Sequence, residues 1–167
     1  MRLAVLLLLV ACDTSESACE EAAKTTPGLD VGTGETVWQP LAEGDTVGWS
    51  FGAQGGRHVY VSLHATGIVQ GWSDSLADEN NPIVSIVLLD NAPADGADPQ
   101  VALLNDYPHH FTVTAEGTFE FLGDQVVGMA SAWEEIADVD ATLRATLTDT
   151  CGTELTSERK VTLTENP

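Results

Sequence analysis

Apolar residues alternate with polar ones over much of the chain, and this period of two restricts the fold more than any other feature. Every second residue from Val59 to Ala65 is apolar, and the segment Val139–Thr148 repeats the pattern. Such a period places alternate side chains on opposite faces of a β-strand. Amphipathic helical patterns of useful length are missing, so the sequence predicts an all-β protein.

Turn signals divide the chain after residue 35 into short predicted strands. Clusters of Gly, Pro, Asn and Asp recur at about the spacing found in two-sheet proteins. The predicted strands are Thr36–Pro40, Asp45–Phe51, Arg57–Thr66, Pro82–Leu89, Val101–Leu104, His110–Ala115, Gly117–Leu122, Val126–Ala132, Val139–Thr148 and Glu158–Thr164.

The last two predicted strands form the most regular segment. Asp149-Thr150-Cys151-Gly152 makes a turn between them, and Val161 and Leu163 are predicted to point inward. This hairpin resembles the closing pair of immunoglobulin-like domains in bacterial surface proteins. The resemblance implies a single antiparallel immunoglobulin-like β-sandwich over residues 36–167, without the Cys-Trp-Cys signature of antibody domains.

The first twelve residues resemble an export signal. Arg2 precedes the apolar run Leu3–Val10, which is too short to span a bilayer that needs about 20 helical residues. The string Leu9-Val10-Ala11-Cys12 resembles the lipobox of bacterial lipoproteins. The resemblance implies a signal peptide over residues 1–11 and a fatty-acylated Cys12, carrying palmitate or a similar chain. A buried N-terminal strand with an ordinary cysteine is the alternative.

Residues 12–35 are rich in Ser, Thr, Gly, Glu and Ala and show no sustained period, so they are predicted to be a flexible tether. Once Cys12 is assigned to the lipid, Cys19 and Cys151 remain. An even number of thiols in an oxidising compartment predicts a Cys19–Cys151 disulfide, with two unpaired thiols as the alternative. A loop of roughly 130 residues closed in this way is worth at most about 5 kcal/mol.

The charge balance restricts the partners. Six basic residues against 26 acidic ones give a formal net charge of −20. Nucleic acid would be repelled at each phosphate, and anionic lipid head groups would be repelled too. Membrane attachment therefore has to come from the acylated Cys12. The predicted location is the cell envelope, on the inner or outer membrane, with the domain outside the cytoplasm.

Two groups of residues are candidate binding sites. Gln54 and His58 lie in a string, "GAQGGRHVYVSLHATG", that resembles uncharacterised lipoproteins with a Gln-Gly-Gly-x-His element, for which no activity is implied. A tight turn is the alternative interpretation. Asp90, Asp95 and Asp98 supply oxygens of the kind Ca²⁺ prefers, but their spacing matches no known calcium loop, and turn chemistry explains the same residues.

No Ser, His and Asp set in a known catalytic order can be singled out, so the chain is not predicted to be an enzyme. We expect a binding or structural module with a protein or glycan partner and no cofactor, apart from the candidate calcium. One alternative is a carbohydrate-binding accessory or envelope enzyme that uses Trp38, Trp49, Trp72 and Trp133 as a stacking platform. The other is a calcium-stabilised adhesion module.

Overall fold

The structure is a computed structural model that describes residues 14–52, 56–93, 95, 98–128 and 139–165. These residues contain one helix and ten strands. The elements are α1 Thr14–Ala22, β1 Gly28–Thr33, β2 Gln39–Pro40, β3 Asp45–Phe51, β4 Arg57–Thr66, β5 Ile83–Asp90, β6 Gln100–Pro108, β7 Thr112–Val113, β8 Phe119–Gly128, β9 Val139–Thr148 and β10 Glu154–Glu165.

Seven of the strands close into a barrel in the order β4-β3-β10-β9-β5-β6-β8, and β8 returns to β4. The long strand β4 pairs with β3 along its first half and with β1 along its second half, on the same edge. The short strands β2 and β7 extend β1 and β8. The prediction of an all-β protein is confirmed.

The structure does not show the predicted immunoglobulin-like sandwich. β6 and β8 pair at Leu103 and Val127, and β3 and β4 pair at Trp49 and Val59, so the hydrogen-bonded ladder has no gap between two sheets. β3 and β10 run parallel, so the sheet is not wholly antiparallel either. Alternation along each strand fixes which side chains face inward, but it carries no information on whether the outer strands meet.

The barrel interior is filled by the apolar half of each alternating strand. On β4 the side chains of Val59, Val61 and Leu63 are fully buried, and on β9 Leu143 and Leu147 are fully buried. Burying one such side chain stabilises the fold by roughly 1.5–3 kcal/mol. The barrel interior is therefore the hydrophobic core that the period of two predicted.

The ordered fold begins before residue 36, which corrects the predicted extent of the tether. α1 occupies Thr14–Ala22, and β1 pairs with β4 from Gly28↔Thr66 to Thr33↔Val61. Val31 of β1 is buried in the core. The composition of this segment hid the strand because Leu29 and Val31 are its only large apolar residues. Cys12 and Asp13 lie outside the described residues.

A bulge makes one strand out of two predicted ones. Gly117–Leu122 and Val126–Ala132 were expected as separate strands, whereas β8 runs without a break to Gly128, and residues 129–132 lie outside the described part. Opposite Ser62 of β4, β8 inserts an extra residue, and Gly123 there has φ 68°. The Gly123 N–H donates to Ser62 Oγ at 2.9 Å. Glycine therefore marks a bulge here and not a turn.

Candidate functional site

The cysteines join the N-terminal helix to one end of the barrel. Cys19 and Cys151 are disulfide-bonded, with their Cα atoms 5.7 Å apart, which confirms the predicted pairing. Cys151 lies in the β9–β10 turn. There the buried Asp149 carboxylate accepts the N–H groups of Cys151 at 3.0 Å and Thr153 at 2.8 Å. Its other oxygen accepts the N–H of Val69 at 2.9 Å. We call this part of the barrel the disulfide end.

A cleft of about 360 Å³ opens at the disulfide end, between α1 and the barrel. Ala18 and Ala22 of α1 form one wall. Ile68 and Trp72, which follow β4, and Phe119 at the start of β8 contribute to the others. Because these groups are mainly apolar, the cleft suits an apolar ligand or surface. Of the cleft residues, Trp72 alone was a candidate in the sequence, as part of the stacking platform; the other walls come from segments distant in sequence.

One asparagine holds the backbone that carries Trp72. Asn81 is only 2% exposed. Its Oδ1 accepts the N–H of Trp72 at 3.0 Å, and its Nδ2 donates to the carbonyls of Ser73 at 2.8 Å and Ser75 at 3.1 Å. Trp72 itself is 49% exposed. The loop therefore presents a large apolar side chain from a fixed backbone. The only signal in the sequence was the turn-forming Asn80-Asn81-Pro82 string.

A second polar cluster surrounds His109, which directly follows β6. Its ring lies edge-on to Phe121 at 4.9 Å and is stacked with Tyr107 at 5.8 Å. Burial lowers the pKa of His109, against an opposing effect of the Asp124 charge. Burial also raises the pKa of Asp124, and His109 opposes that shift. No pattern in the sequence predicted that these residues meet, because Asp124 directly follows Gly123, where the bulge was not predicted.

The neighbouring His110 faces a different group. Its Nδ1 lies 3.0 Å from Asp74 Oδ1, and its ring is 5.7 Å from that of His109. The nearby charges of His110 and Asp74 have smaller, opposite effects on the pKa of His109. Asp74, His110, His109 and Asp124 therefore form a set of neighbouring titratable side chains that begins in the loop carrying Trp72.

Of the predicted pair Gln54 and His58, Gln54 lies outside the described residues. His58 is 5% exposed, its ring lies edge-on to Tyr60 at 5.0 Å, and its buried Nε2 makes no hydrogen bond within the described part. The Gly52 N–H donates to the Gly56 carbonyl at 2.6 Å, and the residues between them lie outside the described part of the chain.

Two of the three candidate calcium ligands accept backbone N–H groups, each in its own turn. Asp90 Oδ1 accepts the N–H of Ala92 at 2.8 Å, and Asp98 Oδ1 accepts the N–H of Gln100 at 2.9 Å. Asp95 is exposed. These bonds are the turn chemistry that the alternative interpretation expected. Across the described ranges, no three His, Cys, Asp or Glu side chains are grouped so as to hold a metal ion.

The tryptophans lie in different surroundings. Trp49 is buried in the core, Trp38 is stacked on His64 with ring centroids 3.8 Å apart, and Trp72 borders the cleft. Trp133 lies outside the described residues. The three described rings therefore do not share the surface that a sugar-stacking platform needs.

A Gly-x-Ser-x-Gly string that was not among the predicted sites surrounds Ser50. Gly48-Trp49-Ser50-Phe51-Gly52 matches the spacing of a hydrolase nucleophile turn, and Ser50 lies opposite His58 in the β3–β4 ladder. That turn needs a strand followed by a sharp bend into a helix. Ser50 lies within β3, and the next described element along the chain is another strand, β4. The string therefore lacks the context that would activate its serine.

No helix in the described part of the chain is long and apolar enough to cross a membrane. Comparisons with known proteins by family model, by curated sequence and by solved structure each find no match.

Proposed function

We propose that the mature chain is a lipid-anchored lipoprotein of the cell envelope that serves as a binding or structural module and not as a catalyst. The observation that carries the proposal is the Cys19–Cys151 disulfide. Structural disulfides persist in oxidising compartments, so the pairing supports export of the domain. The lipobox-like string ending at Cys12, seven residues before Cys19, supports lipid attachment.

The cleft at the disulfide end is the site where this module would bind its partner. It combines an apolar lining with a loop fixed by Asn81, so its shape exists before a partner arrives. A preformed site avoids part of the ordering cost of binding. The formal charge of −20 argues against nucleic acid as that partner.

Lipid attachment is tested by producing the full chain and its Cys12→Ser variant in a bacterium with a lipoprotein pathway. We expect the wild-type protein to begin at Cys12, to carry a diacylglycerol mass and to sediment with membranes. The variant has no thiol to acylate, so it should lack the lipid mass and leave the membrane fraction.

The matched control is Cys19→Ser, which removes the disulfide and leaves the lipobox-like string unchanged. This variant should keep its lipid mass. Membrane association of wild type and Cys12→Ser at the same unlipidated mass would contradict the proposal.

A further inference from the structure

The disulfide leaves little free chain between Cys12 and the barrel. Only Asp13 separates Cys12 from Thr14, the first residue of α1, and each residue extends the chain by at most about 3.6 Å. Ala18, which lines the cleft, lies four residues further along the helix, or about 6 Å. A bilayer that holds a lipid on Cys12 therefore lies within roughly 15 Å of the cleft.

Exposed apolar side chains gather at the same end of the barrel. Of the seven large apolar side chains exposed among the described residues, four lie at the disulfide end. Trp72 borders the cleft, and Val113, 53% exposed, is directly opposite the cleft residue Phe119 in the β7–β8 ladder. We call this set the anchor-side patch: Trp72, Leu76, Ile83 and Val113.

The composition of this patch favours lipid as its partner. Tryptophan is enriched where hydrocarbon meets the head groups, because its ring is apolar and its N–H is polar. The carboxylates of Glu21, in the cleft wall, and Asp74, beside Trp72, would repel anionic lipids. The lipid surface that fits is therefore zwitterionic.

We infer that the disulfide end docks on the bilayer that carries the anchor, with Trp72 and Val113 inserted at a zwitterionic interface. The inference rests on the proposed lipid anchor and gives the cleft its partner. Since the helix and disulfide replace the predicted flexible tether over residues 14–35, the barrel rests against the membrane and is not held away from it.

The test uses lipidated full-length protein reconstituted into phosphatidylcholine vesicles, with its mass checked first. Some vesicles contain lipid brominated close to the head group, which quenches nearby tryptophans. We expect bromination to reduce the wild-type emission and the Trp72→Phe variant to lose most of that quenching. Replacing half of the lipid with anionic phosphatidylglycerol should reduce the quenching.

A matched pair of variants tests the surface itself. Val113→Asp places a charge in the anchor-side patch, and Val127→Asp places one at a valine that is 52% exposed eight residues beyond Phe119, about 26 Å along β8. Quenching of Trp72 should fall several-fold in Val113→Asp and stay at the wild-type level in Val127→Asp. Urea midpoints identify any variant that fails to fold.

The outcomes separate this inference from the proposed function. Protein that lacks the lipid mass would contradict the anchor. Lipidated protein with equal quenching in wild type and Trp72→Phe would overturn the docking and leave the anchor intact. Trp72 emission could instead depend on the protein-to-lipid ratio and not on bromination. That result would overturn bilayer docking and assign the patch to a second copy of the chain.

Discussion

Gly123 is the residue on which the bend of β8 across β4 depends. Its φ of 68° lies in the left-handed region, and an added Cβ would overlap the backbone carbonyl of Glu35. Gly123→Ala should therefore lower the free energy of unfolding by about 3 kcal/mol, measured by urea denaturation, since the left-handed conformation alone costs roughly 1–2 kcal/mol.

Gly44→Ala separates the two causes of that loss. Gly44 has φ 83°, but a Cβ there would meet no atom within 4 Å. It should cost only about 1 kcal/mol, the conformational part. Equal losses in the two variants would show that the close approach of β8 to Glu35 contributes nothing.

His109 should make stability depend on pH. Burial lowers its pKa in the folded protein below the ordinary value of 6.5. As the pH falls below 6.5, His109 is therefore protonated in the unfolded chain before it is protonated in the folded chain. The contribution of His109 to stability is present above pH 6.5 and is lost as the pH falls toward the folded pKa.

We therefore expect the urea midpoint of the wild-type protein to decrease when the pH is lowered from about 7.5 to about 5.5. The decrease should be smaller in His109→Phe. Asp124 acts in the opposite direction, because its raised pKa means that protonation favours the folded state. It is present in both proteins, so the comparison isolates His109 and its interaction with Asp124. Identical shifts in the two proteins would contradict the role given to His109.

Among secondary-structure elements, α1 depends most on a covalent bond. It has nine residues, and isolated helices shorter than about 12 residues are marginal in water. Reducing the Cys19–Cys151 bond should therefore release α1 while the barrel stays folded. Hydrogen exchange should then show rapid exchange over Thr14–Ala22 while β9 stays protected. Continued protection of α1 after reduction would show that its contacts with the barrel are sufficient.

The elements that the sequence predicted well are those whose alternation is long and whose ends are marked by turn residues. β3 and β4 have the predicted bounds Asp45–Phe51 and Arg57–Thr66, and β9 has Val139–Thr148. β1 was missed because two apolar residues are too few to show a period against a background of Gly, Asp and Thr. The disulfide was predictable from counting thiols, whereas the cleft depends on loops whose positions only the closed barrel defines.

At the scale of the whole molecule, closure of the barrel depends on short stretches of strand pairing. Within the part of the chain that the structure describes, β6 and β8 share only the pairs Ala102↔Gly128 and Leu103↔Val127. The parallel pairing of β3 with the last strand, from Asp45↔Val161 onward, joins parts of the chain distant in sequence. The alternation of residues along one strand does not indicate which distant strand it pairs with. Alternation along single strands therefore predicted the all-β class and most of the strands, but not the order in which they pair.

The net charge of −20 is also a property of the whole molecule, and it should oppose the compact state through self-repulsion. Surface ion pairs such as Arg144–Glu158 offset little of it. Raising NaCl from about 10 mM to about 300 mM shortens the Debye length from about 30 Å to about 6 Å. The melting midpoint should then rise by about 3–6 °C, or roughly 1–2 kcal/mol for a domain of this size.

Calcium chloride at matched ionic strength tests the alternative of a calcium-stabilised module in the same measurement. Because Asp90 and Asp98 already accept backbone N–H groups, we expect Ca²⁺ to raise the midpoint no further than NaCl does. An additional rise that is lost in Asp90→Asn would place an ion in that loop. No rise with either salt would mean that repulsion among the acidic side chains does not limit the stability of the barrel.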